Sequence, residues 1–397
     1  MYRTISRLAF VVCVLLIAVG SAQAGLAFVQ TNLVTSDQNV VAAQQTDPTL
    51  INPWGVSESA NGSPLWVSSQ GHGTTSLFSL HGTTSSAPLA TFGIQNQGNA
   101  APSATNGPTG QVAIGAAGIT TAPTDFQVNG AKAAFAFANQ DGSIEAWRGG
   151  LPGNVAIQVA SVSGASFTGL AIGNASGGAA QIYAADQNSG NVDVFNSAWT
   201  NTGSFTDPNL PAGFTAFNVQ NLGGHLFVTF ANPNNPVGGV VDEFTTNGTL
   251  LSTISSDPSG THLDSPWGLA IAPASWGQFG GDLLVGNNGG DGTINAFTLG
   301  GVWQGQVELA NGQPFSEQQL WGLTFGSGAG NGGSKDVLYF AAGFDAAADE
   351  GLLGALGPVP EPSSVILVLS AVSVLAGRWV CKNARRRLLS LDKNQER

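Results

Sequence analysis

Apolar residues in this chain come in short runs rich in Val, Ile, Leu, Phe and Trp, and the runs stop at Gly, Asn, Asp or Ser. That rhythm predicts an all-β chain of many short strands joined by tight turns. The runs also repeat in order. Trp267-Gly268-Leu269-Ala270-Ile271, Leu283-Leu284-Val285, Thr293-Ile294-Asn295-Ala296-Phe297 and Gln306-Val307-Glu308-Leu309 make one set of four strands. The same order returns from Phe167 with Ile182-Tyr183-Ala184 and Val192-Asp193-Val194-Phe195, and from Thr215 with Leu226-Phe227-Val228 and Val240-Val241-Asp242. Units therefore begin near Asn52, Thr124, Thr168, Thr215, Ser265 and Leu320. Their spacing, mostly about 44 to 55 residues, is that of four-stranded propeller blades.

Two places depart from the period. A Gly-, Pro- and Asn-rich insertion over residues 93–119 precedes the second unit, whose first strand is read at Asp125 to Val128, and it leaves room for an extra blade around Val112 to Ile114. The sixth unit holds only three strands. Phe28-Val29-Gln30-Thr31-Asn32-Leu33-Val34 is expected to supply the fourth, which would close the ring and pair both exposed edges. The expected fold is a six-bladed β-propeller, ahead of a seven-bladed ring or a β-sandwich.

Longer apolar stretches lie only at the two ends. Arg3 and Arg7 precede an apolar run over residues 8–19, and Ala22-Gln23-Ala24 forms a small-x-small cleavage site, so residues 1–24 read as a cleaved signal peptide. At the other end, residues 364–380 would span about 25 Å as a helix, close to a ~30 Å hydrocarbon core. Arg378 sits near the end of this stretch, where its stem can snorkel, and Lys382, Arg385, Arg386 and Arg387 follow. Such a basic cluster stays cytoplasmic, which puts everything before Pro360 on the far side of the membrane. Residues 25–357 are thus expected to be the propeller, and 358–397 a terminal segment with a transmembrane helix and a basic tail.

Charge is distributed to match. Of 12 Lys and Arg, only Lys132, Arg148 and Lys335 lie between the signal and Pro362, against 22 of the 24 acids, a net charge of about −19. A nucleic-acid surface is excluded on electrostatic grounds. Both cysteines, Cys13 and Cys381, fall outside the propeller, so no disulfide staples it; a domain of this size buries enough core without one.

Parts for catalysis are scarce. His72, His81, His225 and His262 stand singly, none at metal-ligand spacing, and neither a Gly-x-Ser-x-Gly elbow nor a phosphate loop occurs. Asp47, Asp125, Asp186, Asp264 and Asp345 lie near strand ends, where carboxylates from several blades could converge on one face. The turns between second and third strands are rich in Asn, Asp and Gly, as hairpins require, and Asn287 to Asp291 is the one run with enough oxygen ligands to raise calcium. No catalytic or metal-ligating residue is assigned. Trp54, Trp267 and Trp321 recur at one position of the first strand and are expected to pack blade on blade, whereas Trp199, Trp276 and Trp303 fall outside the pattern and, if exposed, suit stacking on sugar rings.

Val359-Pro360-Glu361-Pro362, the apolar stretch and the basic cluster, in that order, resemble the PEP-CTERM signal of Gram-negative bacteria. Ile182 to Asp186 with Val192 to Phe195 resembles the blades of NHL-like propellers. Leu33-Val34-Thr35-Ser36-Asp37, Asp47-Pro48 and Asn52-Pro53-Trp54-Gly55 together resemble an uncharacterised family of exported PEP-CTERM proteins. The resemblance implies export across the inner membrane, handling by an exosortase-type membrane enzyme, and a place at the cell surface, outer membrane or extracellular matrix. It brings no activity. The expected function is a non-catalytic propeller that binds or scaffolds matrix polysaccharide or a protein partner, with no cofactor; the alternative is a calcium-dependent hydrolase, lactonase or lyase.

Overall fold

Strands form where most of the apolar runs predict them, and they assemble as six blades of four antiparallel strands, the sheet of the last blade carrying a short fifth strand, Gln45–Thr46, parallel to its edge. The computed structural model describes residues 27–95, 106–343 and 350–359. Within it Ala27–Pro358 makes one compact unit. Taken from the innermost strand outward, blade 1 is Pro53–Ser57, Leu65–Ser69, Thr74–Phe78 and Ala90–Gly93. Blade 2 is Pro108–Ala113, Phe135–Asn139, Ser143–Trp147 and Ile157–Ser161. Blade 3 is Phe167–Asn174, Ala180–Asp186, Val192–Asn196 and Asn201–Phe205. Blade 4 is Thr215–Leu222, His225–Ala231, Gly239–Phe244 and Leu250–Asp257. Blade 5 is Pro266–Ile271, Leu283–Asn287, Ile294–Phe297 and Trp303–Gln306.

Blade 6 takes its inner three strands, Leu320–Phe325, Leu338–Ala342 and Leu352–Pro358, from one end of the unit and its outer strand, Phe28–Thr35, from the other. The seam is antiparallel and runs from Phe28 opposite Pro358 to Thr35 opposite Leu352, with one bulge between Asn32 and Val34. Each inner strand packs against the next, and the last against the first, so the ring closes at six. Its core lies between the blades. Leu33, Leu65, Val67, Phe78, Tyr339 and Leu353 fill the space between blades 6 and 1, for example, and all are shielded from solvent.

Blade 2 corrects the sequence reading. Its inner strand is Pro108–Ala113, which pairs with Phe135–Asn139, so Val112 belongs to blade 2 itself and not to an extra blade. The Asp125 to Val128 segment instead joins a two-stranded ribbon in which Gln127–Val128 pairs with Ala131–Lys132. It reads as a strand because Phe126 and Val128 are fully buried, yet they are buried as a cover over the core of blades 2 and 3, where Phe126 meets Trp199 edge-on at 5.0 Å.

Of the residues in the two terminal segments, only Pro358, the last residue of the third strand of blade 6, and Val359, directly after it, are described. Ala22, Ala24, Pro360, Glu361, Pro362, Arg378, Lys382, Arg385, Arg386, Arg387 and the apolar stretch 364–380 lie outside the described residues. Among the described residues, no helix is long and apolar enough to cross a membrane.

Candidate functional site

The axis is built from one register shared by all six blades. The third residue of five inner strands is Gly: Gly55, Gly110, Gly169, Gly268 and Gly322; in blade 4 the place is taken by Asn218, the fourth residue of its strand. Each sits against the backbone of the next inner strand. A Cβ on Gly55 would lie 2.5 Å from Thr109 O, on Gly110 2.2 Å from Leu170 N, on Gly268 2.3 Å from Trp321 O and on Gly322 2.6 Å from Trp54 O. Real side chains do not pack that closely, so these positions must stay bare for the strands to converge on the axis. Asn218 is the exception because its amide is used: Nδ2 donates to Trp267 O at 2.6 Å. A void of only about 20 Å³ remains at mid-axis.

One end of the axis is sealed. The residue before the glycine is Trp54, Trp267 or Trp321 in blades 1, 5 and 6 and Phe217 in blade 4, and these four rings form a single cluster. Trp54 stacks on Trp321, and Trp267 meets both edge-on at 6.1 and 5.9 Å. Trp267 Nε1 donates across the ring to Thr168 O, and Trp321 Nε1 to Asn52 Oδ1. The expectation that these three indoles pack blade on blade is met, with the addition that they meet on the axis.

The other end is open. There the last residues of the inner strands of blades 1, 2, 3, 4 and 6 surround a recess of about 210 Å³. Its wall is apolar, with Ile119, Leu170, Ile172 and Leu222, while Glu58, Gln220 and Thr324 supply polar groups. Burial pushes the Glu58 carboxyl up to about 7, against the opposing pull of its hydrogen bonds at Ser327. Neither Lys, Arg nor His lines the recess.

The carboxylates do not converge. Inner strands start at the sealed end, opposite the last residues of the second strands, so the turns carrying Asp186 and the loops carrying Asp47 and Asp264 share that end. Each has one carboxylate oxygen held locally, while Asp47 Oδ2 is buried with no hydrogen-bond partner. Asp47 Oδ1 accepts from Thr49 N and Oγ1, Asp186 Oδ1 from Ser166 N and Asn188 N, and Asp264 Oδ1 from Gly238 N. Asp125 lies in the connection between the inner and second strands of blade 2, which belongs to the opposite end, and Asp345 lies outside the described residues. Among the described residues, no three His, Cys, Asp or Glu side chains come together as ion ligands. The Asn287 to Asp291 turn is likewise tied down, with Asn287 accepting from Asp264 N and donating to His262 O.

A second repeated position escaped the sequence reading. On the third strand, one register row holds Ser76, Glu145, Asp193, Asp242, Asn295 and Gly354, opposite Val67, Phe137, Ala184, Val228, Val285 and Phe340. The first five are buried and polar. Several hold the loop that enters their blade: Ser76 Oγ lies 3.3 Å from Thr49 Oγ1, and Asn295 Nδ2 donates to His262 O at 2.8 Å. Desolvation raises the carboxyls in this row, Glu145 well above its usual range, Asp193 to about 6 and Asp242 to about 7, with the nearby Asp207 adding to the rise at Asp242. The signal was present as a polar residue inside each third-strand run, but alternation alone reads it as solvent-facing.

Of the other indoles, Trp276 is wholly buried and Trp199 nearly so. Of Trp199, Trp276 and Trp303, Trp303 alone is exposed, so the condition set for joint stacking is met by one indole of the three.

No family model matches the chain. It is similar to two uncharacterised proteins of Acanthamoeba polyphaga mimivirus: L690, 28% identical over 361 residues that cover 82% of this chain and 85% of that one, and R648, 28% identical with 74% and 72% covered. Among solved structures it is similar to the WD40 propeller domain of Doa1, 10% identical with a TM-score of 0.44 over 78% of this chain and 80% of that one. A chain of the COPII outer coat vertex on membranes gives 11% identity and a TM-score of 0.46, with 76% and 68% covered. The propeller assignment rests on the strand order and the closed ring of inner strands.

Proposed function

We propose that this protein is an exported, non-catalytic β-propeller that binds or scaffolds matrix polysaccharide or a protein partner at the open mouth of its axis. The mouth carries the reading: five blades contribute to one recess, the far end is plugged by indoles, and the four described strand-end acids each hold a local turn or loop. At about 210 Å³ the recess is smaller than the ~300–1,000 Å³ of pockets that enclose a whole drug-sized ligand. It suits a single group protruding from a larger partner, a sugar unit or one side chain. Its lack of basic residues favours an uncharged group.

Ala117 lines the mouth and is exposed, so Ala117→Trp fills the recess without touching the core. Binding to a panel of polysaccharides and candidate protein partners is compared for the parent and this variant. Loss of binding to at least one panel member with an unchanged melting temperature supports the mouth as the site; equal binding of every member overturns it. Export and sorting rest on the terminal sequence patterns and on Pro360-Glu361-Pro362 as the motif read by an exosortase-type enzyme. Pro360→Ala with Pro362→Ala should leave the chain in the inner-membrane fraction, and unchanged release or surface display would sink the sorting reading.

A further inference from the structure

Large apolar side chains exposed on the described propeller number eight, and four of them, Leu251, Leu299, Val302 and Trp303, lie on the rims of blades 4 and 5. The two rims are adjacent: a Cβ on Gly301, in the turn before Trp303, would lie 2.7 Å from Ile254 O in the outer strand of blade 4. Trp303 is held rigidly. Its Nε1 donates to Oδ1 of the buried Asn295 at 3.0 Å, and its ring stacks on His262 with centroids 4.3 Å apart and planes 14° from parallel. Asn295 also donates to His262 O, so one buried amide fixes both the indole and the loop that backs it. With one face covered by the imidazole, the 43% exposure of Trp303 falls on the remaining face and the ring edge.

We infer that Trp303 is a stacking platform for a sugar ring of a neutral polysaccharide. A pyranose offers an apolar C–H face to an indole and hydroxyls to its surroundings. The surroundings suit it: residues 245–256 and 292–307 contain no charged side chain, Glu243 beside Ser252 is taken up by Ser252 and His225, and Thr253 and Gln304 are exposed on the two outer strands. A fixed ring avoids the ordering penalty that a mobile side chain incurs on binding. Four apolar side chains fall well short of the ~20–30 residues that each partner brings to a stable protein interface, which favours a glycan over a second copy or a protein. This surface is separate from the mouth, although it rests on the same reading of the protein as a matrix binder.

The test is affinity electrophoresis of the full chain in gels containing hydroxyethyl cellulose or dextran. Retardation is expected for at least one of them, weakened tenfold or more by Trp303→Ala, largely kept by Trp303→Phe and unaffected by Ala117→Trp. Val302→Asp, at an exposed turn, should also weaken binding and serves if Trp303→Ala lowers the melting temperature. No retardation in either gel, or equal retardation of parent and both rim variants, overturns the inference. So does a dimer at micromolar concentration that Trp303→Ala dissolves, since the patch would then be covered by a second copy.

Discussion

The indole of Trp54 lies on that of Trp321 with ring centroids 3.5 Å apart and planes 16° from parallel, joining the first blade to the last across the axis. Stacked rings at this distance contribute beyond their buried area, and Trp321 adds a hydrogen bond to Asn52 Oδ1. Trp321→Ala should therefore destabilise the propeller by about 3–5 kcal/mol in urea unfolding. A loss below about 1 kcal/mol would mean that the plug is ornamental to the ring.

The bare positions behind the plug make a sharper test. Gly110→Ala places a methyl against backbone, where no rotamer can relieve it, and should cost about 1–3 kcal/mol or prevent folding. Gly149→Ala, on the surface with nothing within 4 Å, should change stability by no more than about 0.5 kcal/mol. Equal midpoints for the two variants in denaturant titrations would refute the close-approach argument.

Much of this was legible beforehand, and the reasons divide cleanly. Six units and a borrowed outer strand follow from local signals: alternating apolar runs, turn residues, and a three-stranded remainder at Leu320. The inner strand of blade 2 was not, because Pro108 to Ala113 follows a Gly- and Pro-rich segment while Phe126 and Val128 imitate a strand by being buried. The mouth and the plug depend on which residues of six separate strands share a level, and only the register supplies that. Pro53-Trp54-Gly55, Pro266-Trp267-Gly268 and Leu320-Trp321-Gly322 carry the hint, since a glycine follows each recurrent indole.

Stability should fall as pH rises. Asp242 has an ordinary value of 3.8 and is held at about 7 when folded, chiefly by desolvation, so the folded state keeps a proton that the unfolded chain releases. Below about pH 4 both states are protonated and nothing is lost. Between about 4 and 7 such a group lowers stability by about 1.4 kcal/mol per pH unit, and above 7 the loss is complete. Asp193 and Glu145 act in the same direction. The melting temperature should be higher at pH 5 than at pH 8, and Asp242→Asn should narrow the gap by raising the value at pH 8. Parallel pH profiles for parent and variant would contradict this.

Ring closure depends on one strand. Deleting residues 28–35 exposes the third strand of blade 6 as a free edge and uncovers Leu353 and Ala355. The truncated chain should unfold or self-associate, seen as loss of the monomer peak in size-exclusion chromatography. A monomer with an unchanged melting temperature would show that the seam is dispensable.

The geometry of that seam also sets how the molecule answers a pull. Phe28 and Pro358 face each other at the same end of an antiparallel pair, so the chain enters and leaves the propeller side by side. Tension between the segments before Phe28 and after Pro358 loads the ladder one hydrogen bond at a time, as a zipper is drawn, rather than shearing all of them together. A propeller held by both segments would part first at this line, while one held by either segment alone would pass the load across the whole strand.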